Sequence, residues 1–189
     1  MRITGGRARG IPLLLPKGDA VRPATDALRQ AVFSSLAARV EGARFLDLFA
    51  GSGAYGLEAF SRGAAGGVFV EKNARTADFI RQNIGAVCKS LGRPAAGLQV
   101  VTADAAQVMP GEAPDLVFID PPYEIIPEVA SKIFARLDEL LAAKPDALVV
   151  FEMPGELELS PAGWTCVKRL GKGGRQPTAA VFRSSRAAP

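Results

Sequence analysis

Leu116–Tyr123 reads Leu-Val-Phe-Ile-Asp-Pro-Pro-Tyr, and its two halves make opposite demands on the backbone. The four apolar residues form a continuous run of the kind found in a strand buried on both faces of a parallel sheet. The two prolines cannot donate ladder hydrogen bonds, so Asp120–Tyr123 has to leave the sheet at its carboxyl edge. In open α/β sheets that edge is where ligands bind. The strand therefore delivers a carboxylate, a stiff turn with a carbonyl at Pro121, and an aromatic ring to an expected binding edge.

The flanking sequence fits the same kind of sheet. Upstream, Phe45–Phe49 reads as a buried strand, Ala54–Arg62 as a helix and Gly67–Val70 as a strand ending at Glu71. A helix over Asn73–Leu91 places Ala77, Ile80, Ile84, Val87 and Leu91 on one face, and the strand Leu98–Thr102 precedes Asp104. Downstream, a helix over Pro127–Leu141 buries Val129, Ile133, Leu137 and Leu140, and Ala147–Phe151 is another apolar strand. Regular βα alternation predicts an α/β fold with a doubly wound, mostly parallel sheet. Trp164–Leu170 and Thr178–Arg183 have no helix between them, so they are expected to close the seven-stranded sheet as an antiparallel hairpin.

Residues 1–40 read differently, as a small extension ahead of a main domain over 41–189. Met1–Pro16 has the pattern of a β-hairpin with a basic tip, Arg7 and Arg9. A helix over Asp26–Ala38 follows, with Thr25 placed to cap it and Leu28, Val32 and Leu36 repeating along one face.

Composition narrows the chemistry. The 189 residues are 48% hydrophobic and 22% charged, a soluble globular balance. No apolar run approaches the ~20 residues of a membrane span, and the first residues lack the apolar stretch of a signal peptide, so a cytoplasmic protein is expected. Cys88 and Cys166 are too far apart for a CxxC site and are expected to be buried free thiols. Histidine is absent. That removes Ser-His-Asp and Cys-His nucleophile systems and histidine metal ligands, leaving carboxylates, backbone groups, lysine, tyrosine or a bound cofactor. No metal is called for. The net charge of +4 divides into +5 over residues 1–40, −7 over 41–158 and +6 beyond Glu158. Basic ends around an acidic middle suit contact with a polyanion, although a merely solvated surface would look the same.

Between the first strand and first helix lies Asp47-Leu-Phe-Ala-Gly-Ser-Gly-Ala-Tyr-Gly. Gly51 and Gly53 permit positive φ and close approach of a ligand to a helix N-terminus. Together with Gly56 they also spell GxGxxG, the dinucleotide fingerprint, and Glu71 stands where a ribose-binding acid belongs. Charge favours a different cofactor. Asp47 at the strand end opposes a pyrophosphate but can pair with the amino group of S-adenosylmethionine. That molecule also has a ribose for Glu71 and an adenine for Asp104 and the Ala105 backbone. Glu71 and Asp104 acting only as helix caps is the plainer alternative.

At Asp120–Tyr123 the same elements suit methylation of a nucleobase amine. Such an amine is a poor nucleophile because its lone pair is delocalised into the ring. The Asp120 carboxylate and Pro121 carbonyl could accept its two N–H bonds, favour a pyramidal nitrogen and turn the lone pair toward a methyl donor. Charge-assisted bonds of this kind contribute about 1.5–3 kcal/mol each. In-line placement beside the sulfonium supplies much of the remainder. Tyr123 offers a stacking face, and the base must first leave its helix or loop. A Pro-Pro strand stop with a capping aspartate is the ordinary alternative.

Asp120-Pro-Pro-Tyr with Asp47–Gly53 resembles the S-adenosylmethionine-dependent amino-methyltransferases of class I, which have a Rossmann-like fold. More of the chain, including Met1-Arg-Ile-Thr-Gly-Gly, Arg22-Pro-Ala-Thr-Asp, Leu57–Ala64, Phe69-Val-Glu-Lys and Val149–Glu152, resembles the bacterial small-subunit ribosomal RNA guanine-N2 methyltransferases. The resemblance implies methyl transfer to one guanine N2 of 16S ribosomal RNA, in the small subunit or an assembly intermediate, by a monomer. It implies catalytic roles for Asp120, Pro121, Pro122 and Tyr123. It implies cofactor contacts from Asp47, Ala50, Gly51, Gly53, Glu71, Lys72, Asp104, Ala105 and Asp120. RNA contacts would come from Arg7, Arg9, Arg22, Arg29 and Arg175. Tyr55, Ser34 and the segment Arg169–Thr178 depart from the family's usual residues. The rival functions are a DNA adenine-N6 methyltransferase, which shares the tetrapeptide, and a nucleotide-binding module without catalysis.

Overall fold

The computed structural model describes residues 1–15, 23–108, 112–174 and 176–187. Helices α1 (Pro23–Ser35) and α2 (Ala37–Val40) lead into strand β1 (Arg44–Leu48). The chain then alternates through α3 (Ala54–Ser61), β2 (Gly66–Glu71), α4 (Ala74–Leu91), β3 (Leu98–Thr102) and β4 (Leu116–Ile119). A 3₁₀ turn over Tyr123–Ile125 opens α5 (Ile126–Leu140), followed by β5 (Leu148–Pro154), β6 (Trp164–Gly171) and β7 (Pro177–Ser184). The seven strands lie in the order β3-β2-β1-β4-β5-β7-β6, with β1 to β5 parallel and β7 antiparallel between β5 and β6. This is the predicted mostly parallel sheet with its terminal hairpin, a class I methyltransferase-like fold. The strand order reverses between β1 and β4, which makes their carboxyl ends the topological switch point.

Strand alternation sorts the core into two layers. Phe45, Phe69, Phe118 and Val150 face α1, α3 and α4, where they bury with Phe33, Leu57 and Ile80. Leu46, Leu48, Val70, Ile119 and Phe151 face the other way, onto Ile126, Val129, Ile133, Phe134 and Leu137 of α5. Phe134 is central to this second layer, stacked on Phe151 at 5.9 Å and edge-on to Phe182 at 5.0 Å and Trp164 at 5.4 Å.

The N-terminal segment lies along α3. Its hairpin contains one bridge, Arg2 to Pro12, flanked by hydrogen bonds from Ile3 N–H to Ile11 and from Leu13 N–H to Met1. Its tip is fixed where α3 ends, with Arg7 N–H donating to the Ser61 carbonyl and Ala8 N–H to the Ser61 hydroxyl. Glu58 of α3, fully buried, accepts from Thr4 N–H at 2.7 Å and from Thr4 Oγ1 at 2.8 Å, and pairs with Arg62 at 2.8 Å and Arg29 at 3.5 Å. Ile3, Ala8 and Leu13 are buried in the layer that contains Phe45.

Three expectations are corrected. Helix α1 starts at Pro23, so Thr25 falls within its first turn and not at the position ahead of it; proline's fixed φ and missing N–H suit a first helical position. The helix also breaks at Leu36 before α2 instead of running through to Ala38. Cys88 is buried, but Cys166 is exposed because β6 is an edge strand whose middle faces solvent on both sides.

Candidate functional site

After β1 the chain enters a strained turn. Phe49 has φ 57°, an uncommon left-handed conformation for a bulky residue, and Gly51 and Gly53 follow with φ of 53° and 77°. Gly53 occupies the N-cap position of α3. A Cβ at Gly53 would press on Ile80, Phe69 and Leu57, so this glycine serves helix packing behind the cleft wall. Gly56 has the same structural duty: a Cβ there would collide with the Phe69 and Phe45 rings. Its N–H donates to the Asp47 carboxylate at 2.9 Å. The GxGxxG spacing therefore presses α3 onto the sheet and aims its first turn at an acid.

The turn forms one wall of a cleft of about 1330 Å³ at the carboxyl edge of the sheet. Of the residues expected at a cofactor, Asp47, Ala50, Gly51, Glu71, Lys72, Asp104, Ala105 and Asp120 all line it, together with Pro121, Pro122 and Tyr123. Glu71, the last residue of β2, accepts from Gly51 N–H at 3.0 Å and Asn73 N–H at 2.8 Å, which ties the glycine turn to the start of α4. The α4 cap itself is Asn73, whose side chain accepts from Thr76 N–H at 3.1 Å. Asp104 accepts from Ala106 N–H at 3.0 Å and is approached by Lys72 at 3.4 Å and Gln107 at 3.2 Å. The Ala106 bond, helped by Lys72, holds its carboxyl below the usual range. Asp47 behaves in the opposite way. It is 2% exposed, and burial pushes its pKa up to about 8 despite the Gly56 bond and the nearby Arg29. It is a carboxyl poised to ionise when a cation arrives.

Across the cleft, Asp120 is exposed and Pro121 is buried beside it, while Tyr123 is half-buried at the start of the 3₁₀ turn. Two residues that the sequence reading did not assign stand next to them. Tyr55 of α3 is 6% exposed, stacks on Phe118 at 5.3 Å and donates its hydroxyl to Glu152 of β5 at 2.7 Å. Burial, then the charges of Glu152 and Asp120, drive the Tyr55 phenol well above its usual pKa. Both Tyr55 and Glu152 line the cleft. A signal for Glu152 was available in the sequence. The apolar runs at β1, β2, β4 and β5 each contain or meet an acid at the carboxyl end, and these acids are Asp47, Glu71, Asp120 and Glu152. Tyr55 gave no comparable signal, because its partner is 97 residues away.

The proposed RNA-contact arginines scatter. Arg7 and Arg9 are exposed at the hairpin tip, at the far end of α3 from the cleft, a helix about 12 Å long at 1.5 Å per residue. Arg29 lies in the cleft wall, 1% exposed and fastened to Asp26 at 2.8 Å, the Arg2 carbonyl at 2.6 Å and Glu58. A guanidinium with those partners links α1 to the hairpin and to α3. Arg22 and Arg175 lie outside the described residues.

A family model described as "Conserved hypothetical protein 95" matches residues 1–179. The chain is 32% identical over 169 residues to "Ribosomal RNA small subunit methyltransferase D" of Escherichia coli (strain K12), covering 87% of this chain and 81% of that protein. It is 30% identical to "Putative rRNA methyltransferase YlbH" of Bacillus subtilis (strain 168), over 84% of this chain and 85% of that one. Among solved structures it is similar to "Putative methyltransferase yhhF from Escherichia coli", with a TM-score of 0.76 and 28% identity over 97% of both chains.

Proposed function

The chain belongs to the family described as Conserved hypothetical protein 95, and from that premise we propose that it methylates the exocyclic N2 of one guanine in small-subunit (16S) ribosomal RNA, using S-adenosylmethionine. The observation that carries this reading is the end of β4, where Asp120–Tyr123 leaves the sheet into the same cleft as Gly51, Glu71 and Asp104. A cleft of about 1330 Å³ exceeds the ~300–1,000 Å³ of a typical single-ligand pocket, leaving room for a nucleoside cofactor and a base together.

The donor set suits S-adenosylmethionine better than a dinucleotide. Five of the lining residues, Asp47, Glu71, Asp104, Asp120 and Glu152, are acids at or just past strand ends, which oppose a pyrophosphate and favour a sulfonium nucleoside with an amino group. Asp47 would take the amino group, Glu71 the ribose hydroxyls, and Asp104 with the Ala105 backbone the adenine. When bound there, the cofactor supplies a methyl carbon whose bond to sulfur breaks as its bond to N2 forms, S-adenosylhomocysteine leaving and the surplus N2 proton passing to solvent. The Asp120 carboxylate and Pro121 carbonyl accept the N2 hydrogens and hold the lone pair in line. Pro121 and Pro122 stiffen that pair of acceptors, and Tyr123 stacks against the extruded base.

The test is transfer of tritiated methyl to isolated small subunits, naked 16S RNA and duplex DNA, followed by nucleoside analysis. N2-methylguanosine in the RNA, formed much more slowly by Asp120→Ala, is the expected outcome. Label appearing as N6-methyladenine in DNA, or an Asp120→Ala protein as active as wild type, overturns the proposal.

A further inference from the structure

Glu152 has no part in the chemistry described so far, yet it lines the same cleft as Asp120. Strands β4 and β5 are parallel, with Phe118 opposite Val150 and Ile119 opposite Phe151. Continuing that register by one residue sets Asp120 beside Glu152 on neighbouring strands, which in a parallel sheet run about 4.8 Å apart. Alternation puts both on the face of Phe118 and Val150, so the two carboxylates point to the same side. Glu152 is 4% exposed and lines the cleft, so water competes little for its oxygens. The Tyr55 hydroxyl, donating at 2.7 Å, fixes one edge of the carboxylate, and the Tyr55 ring is itself fixed by stacking on Phe118.

Resting on the reading of the site as a guanine-N2 methyltransferase, we infer that Glu152 is the residue that selects guanine, accepting the N1–H of the base whose N2 is held by Asp120 and Pro121, with Tyr55 as its positioning residue. Guanine alone among the four bases presents a ring N–H immediately beside an exocyclic amine on one edge. Adenine and cytosine present an amine beside a ring nitrogen that is an acceptor. A fixed carboxylate facing that acceptor would repel it and remain without its hydrogen bond. Sites built to bond a substrate N–H reject analogues that lack it for this reason. The shared Asp-Pro-Pro-Tyr turn then grips an amine, and the acid on the neighbouring strand selects the ring that carries it.

The decisive probe is 2-aminopurine, which keeps the 2-amine but lacks the N1–H and has an acceptor at N1. Once the methylated guanine is mapped, small-subunit RNA carrying either guanine or 2-aminopurine at that position is assembled into subunits and assayed. Wild type should prefer guanine by roughly 10- to 150-fold in kcat/KM, the range of one bond to a charged group. Glu152→Ala should slow guanine methylation and bring the preference close to one. Tyr55→Phe, which keeps the ring on Phe118, should lower the preference partway while leaving S-adenosylhomocysteine affinity unchanged in calorimetry. Equal use of both bases by wild type overturns the inference, as does a Glu152→Ala protein that keeps the full preference. If Glu152→Ala does not fold, the wild-type ratio still decides. Failure of wild type to methylate the guanine subunits is a separate result, and it removes the functional reading itself along with this inference.

Discussion

The two faces of the central sheet are built from alternate residues of the same strands and end in opposite ways. On the face toward α5, the apolar character continues to the carboxyl edge through Leu48, Val70, Ile119 and Phe151. On the face toward α1, α3 and α4, the strands pass from Phe45, Phe69, Phe118 and Val150 to Asp47, Glu71, Asp120 and Glu152. One face closes over packing and the other opens onto a cleft. A period-2 backbone allows this because each strand supplies both faces without compromise between them. Asp47, pulled back beneath α3, is buried, and that burial holds its proton.

This contrast can be broken by changing one face at a time. The largest effect belongs to the packing face. Phe134→Ala should cost about 3–5 kcal/mol of stability in urea unfolding while leaving kcat of the folded enzyme near wild type. A comparable loss of kcat would mean that the two faces are not separable. On the open face, Asp120→Ala should lower kcat by roughly 10- to 150-fold and shift stability by no more than about 0.5 kcal/mol. A large fall in melting temperature would instead give Asp120 a structural duty.

The buried acid sharpens the comparison through pH. Folded Asp47 keeps its proton up to about 8, whereas an ordinary aspartate loses it near 3.8. The folded state therefore binds more protons than the unfolded state across that window. The stabilising contribution of the neutral carboxyl is complete below about pH 4 and lost as pH rises toward 8. Asp47→Asn should remove this slope from the melting temperature of the ligand-free protein. Pairing with a cationic amino group requires the carboxylate, so S-adenosylmethionine binding at pH 7 should release close to one proton in wild type and essentially none in Asp47→Asn. Calorimetry in buffers of different ionisation enthalpy measures that release, and equal release by both proteins would exclude Asp47 as the titrating group. The smallest effect concerns how far down α3 the RNA extends. Replacing Arg7 and Arg9 by alanine should flatten the salt dependence of RNA binding by up to about two counterions. An unchanged slope would confine contact to the cleft end.

Much of this was legible because local patterns agreed with one another. Apolar runs marked the parallel strands, the lack of an intervening helix marked the terminal hairpin, and the glycine turn with Asp120–Tyr123 marked the edge on which the cleft opens. What escaped was decided across distance. Arg29 reads as a basic residue on an amphipathic helix, and the Arg2 carbonyl and Glu58, 27 and 29 residues away, help draw it inside. Tyr55 looked like an odd neighbour of the glycine turn until Glu152 and Phe118 supplied its partners. Cys166 lies in an apolar-looking stretch, and its exposure follows from the sheet order, which leaves β6 on an outer edge. Such pairings depend on which strand lies beside which, and composition does not encode that.

That last cysteine has a practical use. With Cys88 buried and its thiol pushed up by burial, and Cys166 exposed at the irregular register between Cys166 and Lys168, the protein carries one natural attachment point for a maleimide dye. Strand β6 is three positions along the sheet from β4, and the register sets Cys166 level with Val149, well short of the carboxyl edge, so a fluorophore there would sit clear of the cleft and could follow RNA binding with no engineered residue.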